Sequence, residues 1–312
     1  MDNSYPTSKI IDQRPPKNPI SPWEPYHYLH EKETDTEGNR YDVNTIFLSN
    51  SECPWKCLMC DLWKNTLDKP TPKGAIPQQI KKALSNLPEA SVVKLYNSGN
   101  FFDKKAIPET DYKHIAKLLD SFNRVVVENH PLLCNYRCAE FNQMLSGTLE
   151  IALGLETIHP EILPRLNKKI TLEDYKRAVS YLKNNQIDVR TFLLLNPPFL
   201  QGRDKNIKWT LKSLEYAFSC GSDRCTIIPV RGGNGIMDEL KQKGNFLEPE
   251  LNTLEVVFSK ALEKNSGHVE VDTWDLERFS TCLFCFEERK KRLEKMNVSQ
   301  SILPEITCRH CS

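Results

Sequence analysis

The stretch Cys53-Pro54-Trp55-Lys56-Cys57-Leu58-Met59-Cys60 places three cysteines within eight residues, directly after the apolar run Thr45-Ile46-Phe47-Leu48. Soft thiolates at this spacing converge on one object and can hold three irons of a 4Fe-4S cubane, leaving the fourth iron open for an external ligand. The same residues have two plainer uses, a structural zinc site or a set of reactive thiols. A closed zinc site takes four ligands, and no fourth Cys or His follows within the next turns of chain.

A chain of 312 residues accommodates one large α/β barrel with appendages, or two ordinary domains. With 39% hydrophobic and 27% charged residues it has the composition of a soluble enzyme. No apolar run approaches the roughly 18 residues of a membrane span. The first residues, Met1 to Tyr5, lack a basic region followed by an apolar core, so no secretory signal is expected. Eleven cysteines in such a chain read as metal ligands and buried thiols in a reducing cytoplasm, with no membrane partner. A net charge of +1 neither requires nor forbids a polyanionic partner.

Residues 1–44 are Pro-rich and polar, with Arg14-Pro15-Pro16, Pro19, Pro22 and Pro25, and predict an extended arm pinned by Trp23, Tyr26 and Tyr28. From there strands and helices alternate. Helical spacing over 77–84 precedes a strand at 91–96, a helix at 111–122 a strand at 124–128, and a helix at 138–145 a strand at 149–154. Thr171 opens a further helix, with Asp174 three residues on as a capping box. Strand 189–195, helix 209–218 and strand 225–230 complete about six units. This alternation predicts parallel βαβ units.

Four stretches together resemble a known group: Cys53 to Cys57, Tyr96-Asn97-Ser98-Gly99-Asn100-Phe101-Phe102-Asp103, Leu149 to Thr157, and Leu193-Leu194-Leu195-Asn196-Pro197-Pro198-Phe199. The C-x3-C-x2-C order is similar to that of the radical S-adenosylmethionine (SAM) superfamily. The wider set resembles the radical SAM subunit of archaeosine synthase and the subgroup that holds the catalytic subunit of Elongator, over roughly residues 45–230. The resemblance implies an α/β fold, a partial or closed (β/α) TIM-like barrel over 45–275, with the extended arm before it and a small Cys-rich segment over 276–312. It implies that Cys53, Cys57 and Cys60 hold a 4Fe-4S cluster whose open iron chelates SAM, with Asn97, Ser98 and Gly99 in the loop that receives the SAM amino group. The residue before the third cysteine is often aromatic in the family and lies near the adenine; here it is Met59, whose thioether can make the same apolar contact. Glu128 and Glu156 end apolar strands, where a carboxylate serves as a ribose or substrate ligand, or as the partner of a local Arg.

The tail carries Cys282-Leu283-Phe284-Cys285 and Cys308-Arg309-His310-Cys311. Two C-x2-C pairs predict a metal site, either zinc, with His310 able to replace one cysteine, or a second 4Fe-4S cluster. The basic run Arg289 to Arg292 between the pairs is a candidate for phosphate contact or a solvated helix face. Cys134, Cys138, Cys220 and Cys225 read as small buried hydrophobes.

The expected function is reductive cleavage of SAM to a 5'-deoxyadenosyl radical for modification of a deazapurine nucleoside in tRNA. In the archaeosine enzyme the radical cleaves a lysine adduct on such a base. The implied partners are a flavodoxin- or ferredoxin-type reductant and a second subunit. Two alternatives are a radical SAM enzyme acting on a small metabolite or peptide, and a metal-stabilised RNA-binding module without turnover.

Overall fold

The computed structural model describes residues 5–34 and 39–311. After helix α1 (Thr7–Asp12), the chain forms strands β1 (His27–Thr34) and β2 (Arg40–Phe47), then two short strands, β3 (Asn50–Ser51) and β4 (Thr66–Leu67). Helix α2 (Ala75–Leu84) leads to β5 (Val92–Tyr96), α3 (Tyr112–Leu118) to β6 (Arg124–Asn129), and α4 (Tyr136–Met144) to β7 (Thr148–Glu156). Next come α5 (Ile162–Arg165), α6 (Leu172–Asn184), β8 (Asp188–Leu195), α7 (Arg203–Ser219) and β9 (Arg224–Pro229). Helices α8 (Ile236–Gln242) and α9 (Leu251–Lys264), strand β10 (His268–Val271) and helix α10 (Phe286–Ser299) close the order.

Eight strands form one sheet in the order β1-β2-β5-β6-β7-β8-β9-β10. Only β1 is antiparallel; each later neighbour pair is parallel, as expected when helices return the chain. The predicted strands and helices are present, most within a few residues of their expected bounds, although α7 starts at Arg203 where the sequence suggested 209; the box at α6 forms, with Asp174 N–H donating to Thr171 Oγ1 at 3.1 Å. Strand residues alternate between two environments. Val125, Val127, Ile151, Leu153, Val189 and Ile227 join the large core beneath the helices, whereas Val43, Val92 and Val126 form a smaller cluster on the concave side. Cys138 and Cys225 lie in the large core and Cys134 and Cys220 pack against it.

The sheet is a curled half-barrel: β1 and β10 are not hydrogen-bonded to each other, so of the two predicted forms it is the partial one. Helix α10 packs against both of these edge strands. Asn297 exchanges two 2.9 Å hydrogen bonds with the Val271 backbone, and Gln300 pairs with the backbone of Val269 at 2.9 and 3.1 Å. Side chains thus occupy the edge that a ninth strand would otherwise pair. Near the strand starts, charged residues bridge the concave side. Arg190 on β8 holds Glu150 at 2.6 Å, Glu33 at 3.1 Å and Glu270 at 3.3 Å, and Arg224 adds Glu150 at 3.5 Å. Buried charges persist only when paired, and here strands from both ends of the sheet supply the partners.

The expectation of an extended arm over 1–44 holds only in part. Residues 27–34 are a strand and residues 40–44 begin the next, while 7–12 form a helical turn. The prolines end at Pro25, so the ladder that follows is free of them. Residues 1–4 and 35–38 of that expected arm lie outside the described residues.

Candidate metal and cofactor centre

The cysteine loop leaves the sheet after β2 and is closed at its neck by the parallel pairing of β3 with β4, Asn50 opposite Thr66 and Ser51 opposite Leu67. Its backbone is tied down from several directions. Asn234 Nδ2 donates to the carbonyls of Leu58 (2.9 Å) and Cys60 (3.1 Å), Asn167 Nδ2 to that of Lys56 (2.8 Å), and Leu58 N–H to that of Leu166 (2.9 Å). Trp55 stacks flat on His130, with ring centroids 3.7 Å apart. Glu52, just before Cys53, takes Arg14, Lys17 and Lys56, which binds the N-terminal segment across the loop. Met59 packs with Ile10, Leu58 and Leu166 in a second apolar cluster.

All three cysteines are unpaired and half-buried. Burial pushes the Cys57 thiol up to about 12 and Cys60 higher still. Thiols in such a place keep their protons until a metal displaces them.

The ends of β5, β6 and β7 meet this loop. The ideal Cβ position of Gly99 lies 3.4 Å from Cys53 Cβ, and Asn100 Nδ2 donates to Cys53 Sγ at 3.1 Å. Glu128 accepts from Asn97 N–H at 3.1 Å, and Ser98 Oγ lies 2.9 Å from the hydroxyl of Tyr26. Burial pushes the Glu128 carboxyl up to about 7, against the pull of the Asn97 N–H. Ser98, Glu156 and Asn196 follow or end three different strands, and all have positive φ (51°, 68° and 57°). Non-glycine residues held in that region are uncommon and cluster at functional sites.

Sequence reasoning missed Lys168. It is buried, 2.6 Å from Glu156 Oε1, and close enough to Cys57 and Cys53 to interact electrostatically. Burial works against its charge, but the Glu156 carboxylate beside it favours the ammonium. Gly154 makes room for the pair: a Cβ there would lie 2.2 Å from Glu156 Oε1 and 2.4 Å from Lys168 Nζ. A buried lysine twelve residues past its partner belongs to no motif; only the unexplained Gly154-Leu155-Glu156 turn could have hinted at it.

Whether this place suits a cluster and a polar cofactor can be judged from unsatisfied groups. Asn97 is fully buried, yet among the described residues neither its Oδ1 nor its Nδ2 has a partner, and buried amides are rarely left so without a ligand or water. Free Cys53, Cys57 and Cys60 influence one another electrostatically, and Cys53 lies against the Gly99 turn two residues past that orphaned amide, a donor set that fits an iron-sulfur cluster bearing a ligand with donors and acceptors of its own.

The second cysteine set also converges. The Sγ atoms of Cys282, Cys285, Cys308 and Cys311 all lie within 4.8 Å of one another, with Cys282–Cys308 at 3.9 Å and Cys285–Cys311 at 3.6 Å. His310 does not take a cysteine's place; its ring stacks on Phe284 at 4.0 Å. Of the basic run Arg289 to Arg292, the structure takes the two arginines out of phosphate contact and leaves Lys291 exposed on the solvated face. Arg289 is buried against Glu255, and Arg292 donates to the carbonyls of Leu303 and Pro304, holding the returning tail in place.

Residues 49–200 match the Radical SAM superfamily. The chain is 27% identical to an uncharacterized protein of Methanocaldococcus jannaschii over 83% of this chain and 76% of that one. It is also 27% identical to archaeosine synthase subunit beta of Methanosarcina acetivorans, over 66% of this chain and 63% of that protein. Among solved structures, Elp3 of Methanocaldococcus infernus has the same fold, with a TM-score of 0.51 at 18% identity, covering 72% of this chain and 59% of the other. Among the described residues no helix is long and apolar enough to cross a membrane.

Proposed function

We propose that the chain is a radical SAM enzyme that modifies a deazapurine nucleoside in tRNA. The observation that carries the reading is one loop of three free cysteines, close enough to influence one another electrostatically, lying against the strand-end turn that bears the orphaned amide of Asn97. Cys53, Cys57 and Cys60 would hold the 4Fe-4S cluster. When bound, the cluster and SAM supply one-electron cleavage to methionine and a 5'-deoxyadenosyl radical. The chain's part is binding and orientation. Asn97, Ser98 and Gly99 offer an amide, a hydroxyl and close backbone approach to the amino group of SAM, and Met59 an apolar contact for its adenine. Glu128 and Glu156 offer carboxylates to hydroxyls of the ribose or substrate. Lys168 sets a positive charge beside the thiolates, suited to an anionic group on the cofactor.

The tRNA substrate rests on similarity to archaeosine synthase subunit beta, joined to the strand-end motifs. A flavodoxin- or ferredoxin-type reductant and a partner subunit complete the proposed system. The test is a comparison of modified nucleosides in tRNA from cells with and without the gene. Loss of one deazapurine nucleoside, with accumulation of its precursor, is expected; an unchanged profile would rule out this substrate.

For the tail we propose zinc. A tetrahedron whose corners lie about 2.3 Å from its centre has edges of roughly 3.8 Å, and the measured sulfur separations are 3.9 and 3.6 Å. In a cubane each thiolate sits outside its own iron, which spreads the sulfurs further apart. Metal analysis of the variant lacking Cys53, Cys57 and Cys60 should find about one zinc per chain; residual iron and sulfide would show an auxiliary cluster instead.

A further inference from the structure

Arg289 and Arg292 are committed to internal contacts, and a further set of cations lies on α7. Lys205, Lys208 and Lys212 are exposed on α7 and fall at i, i+3 and i+7, on one face of the helix. Among the described residues none of the three forms a salt bridge, and the nearby acids Asp204 and Glu161 form none with them. Two rings lie with this stripe. Trp209 stands 4.4 Å from His159 between ring centroids, and Lys212 lies over the Trp209 ring at 5.0 Å.

The position of the stripe matters as much as its charge. Helix α7 begins just after β8 ends, and His159 lies three residues past Glu156, so the lysines start at the rim that holds the cysteine loop. From Lys205 to Lys212 they run about 10 Å down the outside of the domain. The opposite side of α7, with Leu214 and Ala217, is buried in the core. The exposed face therefore has no apolar stripe to insert into a lipid surface. Unpaired ammonium groups with flat rings among them are the complement of a sugar-phosphate backbone.

We propose that Lys205, Lys208 and Lys212, with Trp209 and His159, form the surface that grips the phosphate backbone of the substrate RNA. This rests on the RNA reading given above. The grip is electrostatic and independent of sequence, and it holds the target nucleoside at the strand-end rim.

Binding of a labelled tRNA transcript to the full-length, cluster-loaded chain, measured as a function of salt, tests it. Each phosphate neutralised adds about 0.9 to the slope of log affinity against log salt. The triple variant K205Q/K208Q/K212Q should lower that slope by about 2 to 3 and weaken binding roughly ten- to hundredfold at 0.15 M salt. The corresponding Lys→Arg triple should restore both, and 5'-deoxyadenosine formation without RNA should be unchanged in all three proteins. A glutamine variant with wild-type slope and affinity overturns the docking surface while leaving the RNA reading intact. Wild-type protein that binds no tRNA overturns both, and loss of RNA-free SAM cleavage in the glutamine variant would show the stripe to be structural.

Discussion

Glycine at 154 illustrates how one missing methyl can decide a site. The atoms that an alanine Cβ would strike are the free ends of two flexible side chains, Glu156 Oε1 and Lys168 Nζ, so the fold can yield at modest cost, about 1 kcal/mol. The pair cannot yield and stay where it is. Gly154→Ala should therefore lower the rate of SAM cleavage at least tenfold while shifting Tm by only a few degrees; equal activity would show that the position of Lys168 is irrelevant. Glu128 offers a second test through pH. Its carboxyl titrates near 7 in the folded chain and near 4.3 when unfolded, so between those values folding takes up a proton. Stability must fall as pH rises through that window and level off above about 7. Glu128→Gln removes the slope, so the variant's gain in Tm over wild type should grow from pH 5 to pH 7 and then stay constant. A difference that does not change with pH would contradict the burial of that carboxyl.

Among the elements, α10 is the one whose role was hidden in the sequence. A polar helix between two cysteine pairs reads as a solvated spacer, but Arg289 and Arg292 face inward and Asn297 and Gln300 copy the hydrogen bonding of a strand along β10. Four hydrogen bonds at about 0.5–1.5 kcal/mol each are at stake. Replacing Asn297 and Gln300 together by Ala should cost about 2 kcal/mol or more in urea unfolding and speed amide exchange at Val269 and Val271; unchanged protection at those two amides would refute the capping role. Strand β1 was missed for a related reason. Its residues Glu31 and Glu33 project toward Lys94 and Arg190, so the apolar alternation that announces a strand is replaced by charge that finds its partners only after the sheet curls. The parallel strands, buried on both faces and bounded by turn residues, were readable within a few residues because burial alone determines their pattern.

For the molecule as a whole, the cysteine spacing was sufficient to point to the radical SAM superfamily, which residues 49–200 match. The groups around it were only partly readable. Asn97, Ser98, Glu128 and Glu156 stand at strand ends, where a barrel places its chemistry. Lys168 and the α7 lysines carry no local signature, because their meaning comes from what the fold sets beside them. The half-barrel thus brings a thiolate loop, an unsatisfied amide and a buried ammonium to one rim, and the α7 lysines run down from that rim on its outer side. That arrangement is most directly tested by anaerobic reconstitution with iron and sulfide, followed by dithionite and SAM. The wild-type chain should yield 5'-deoxyadenosine, and Cys53→Ala, Cys57→Ala and Cys60→Ala should each yield none while remaining folded. A fully reconstituted wild-type cluster that leaves SAM intact, or a single alanine variant that still cleaves it, would contradict the assignment of this centre.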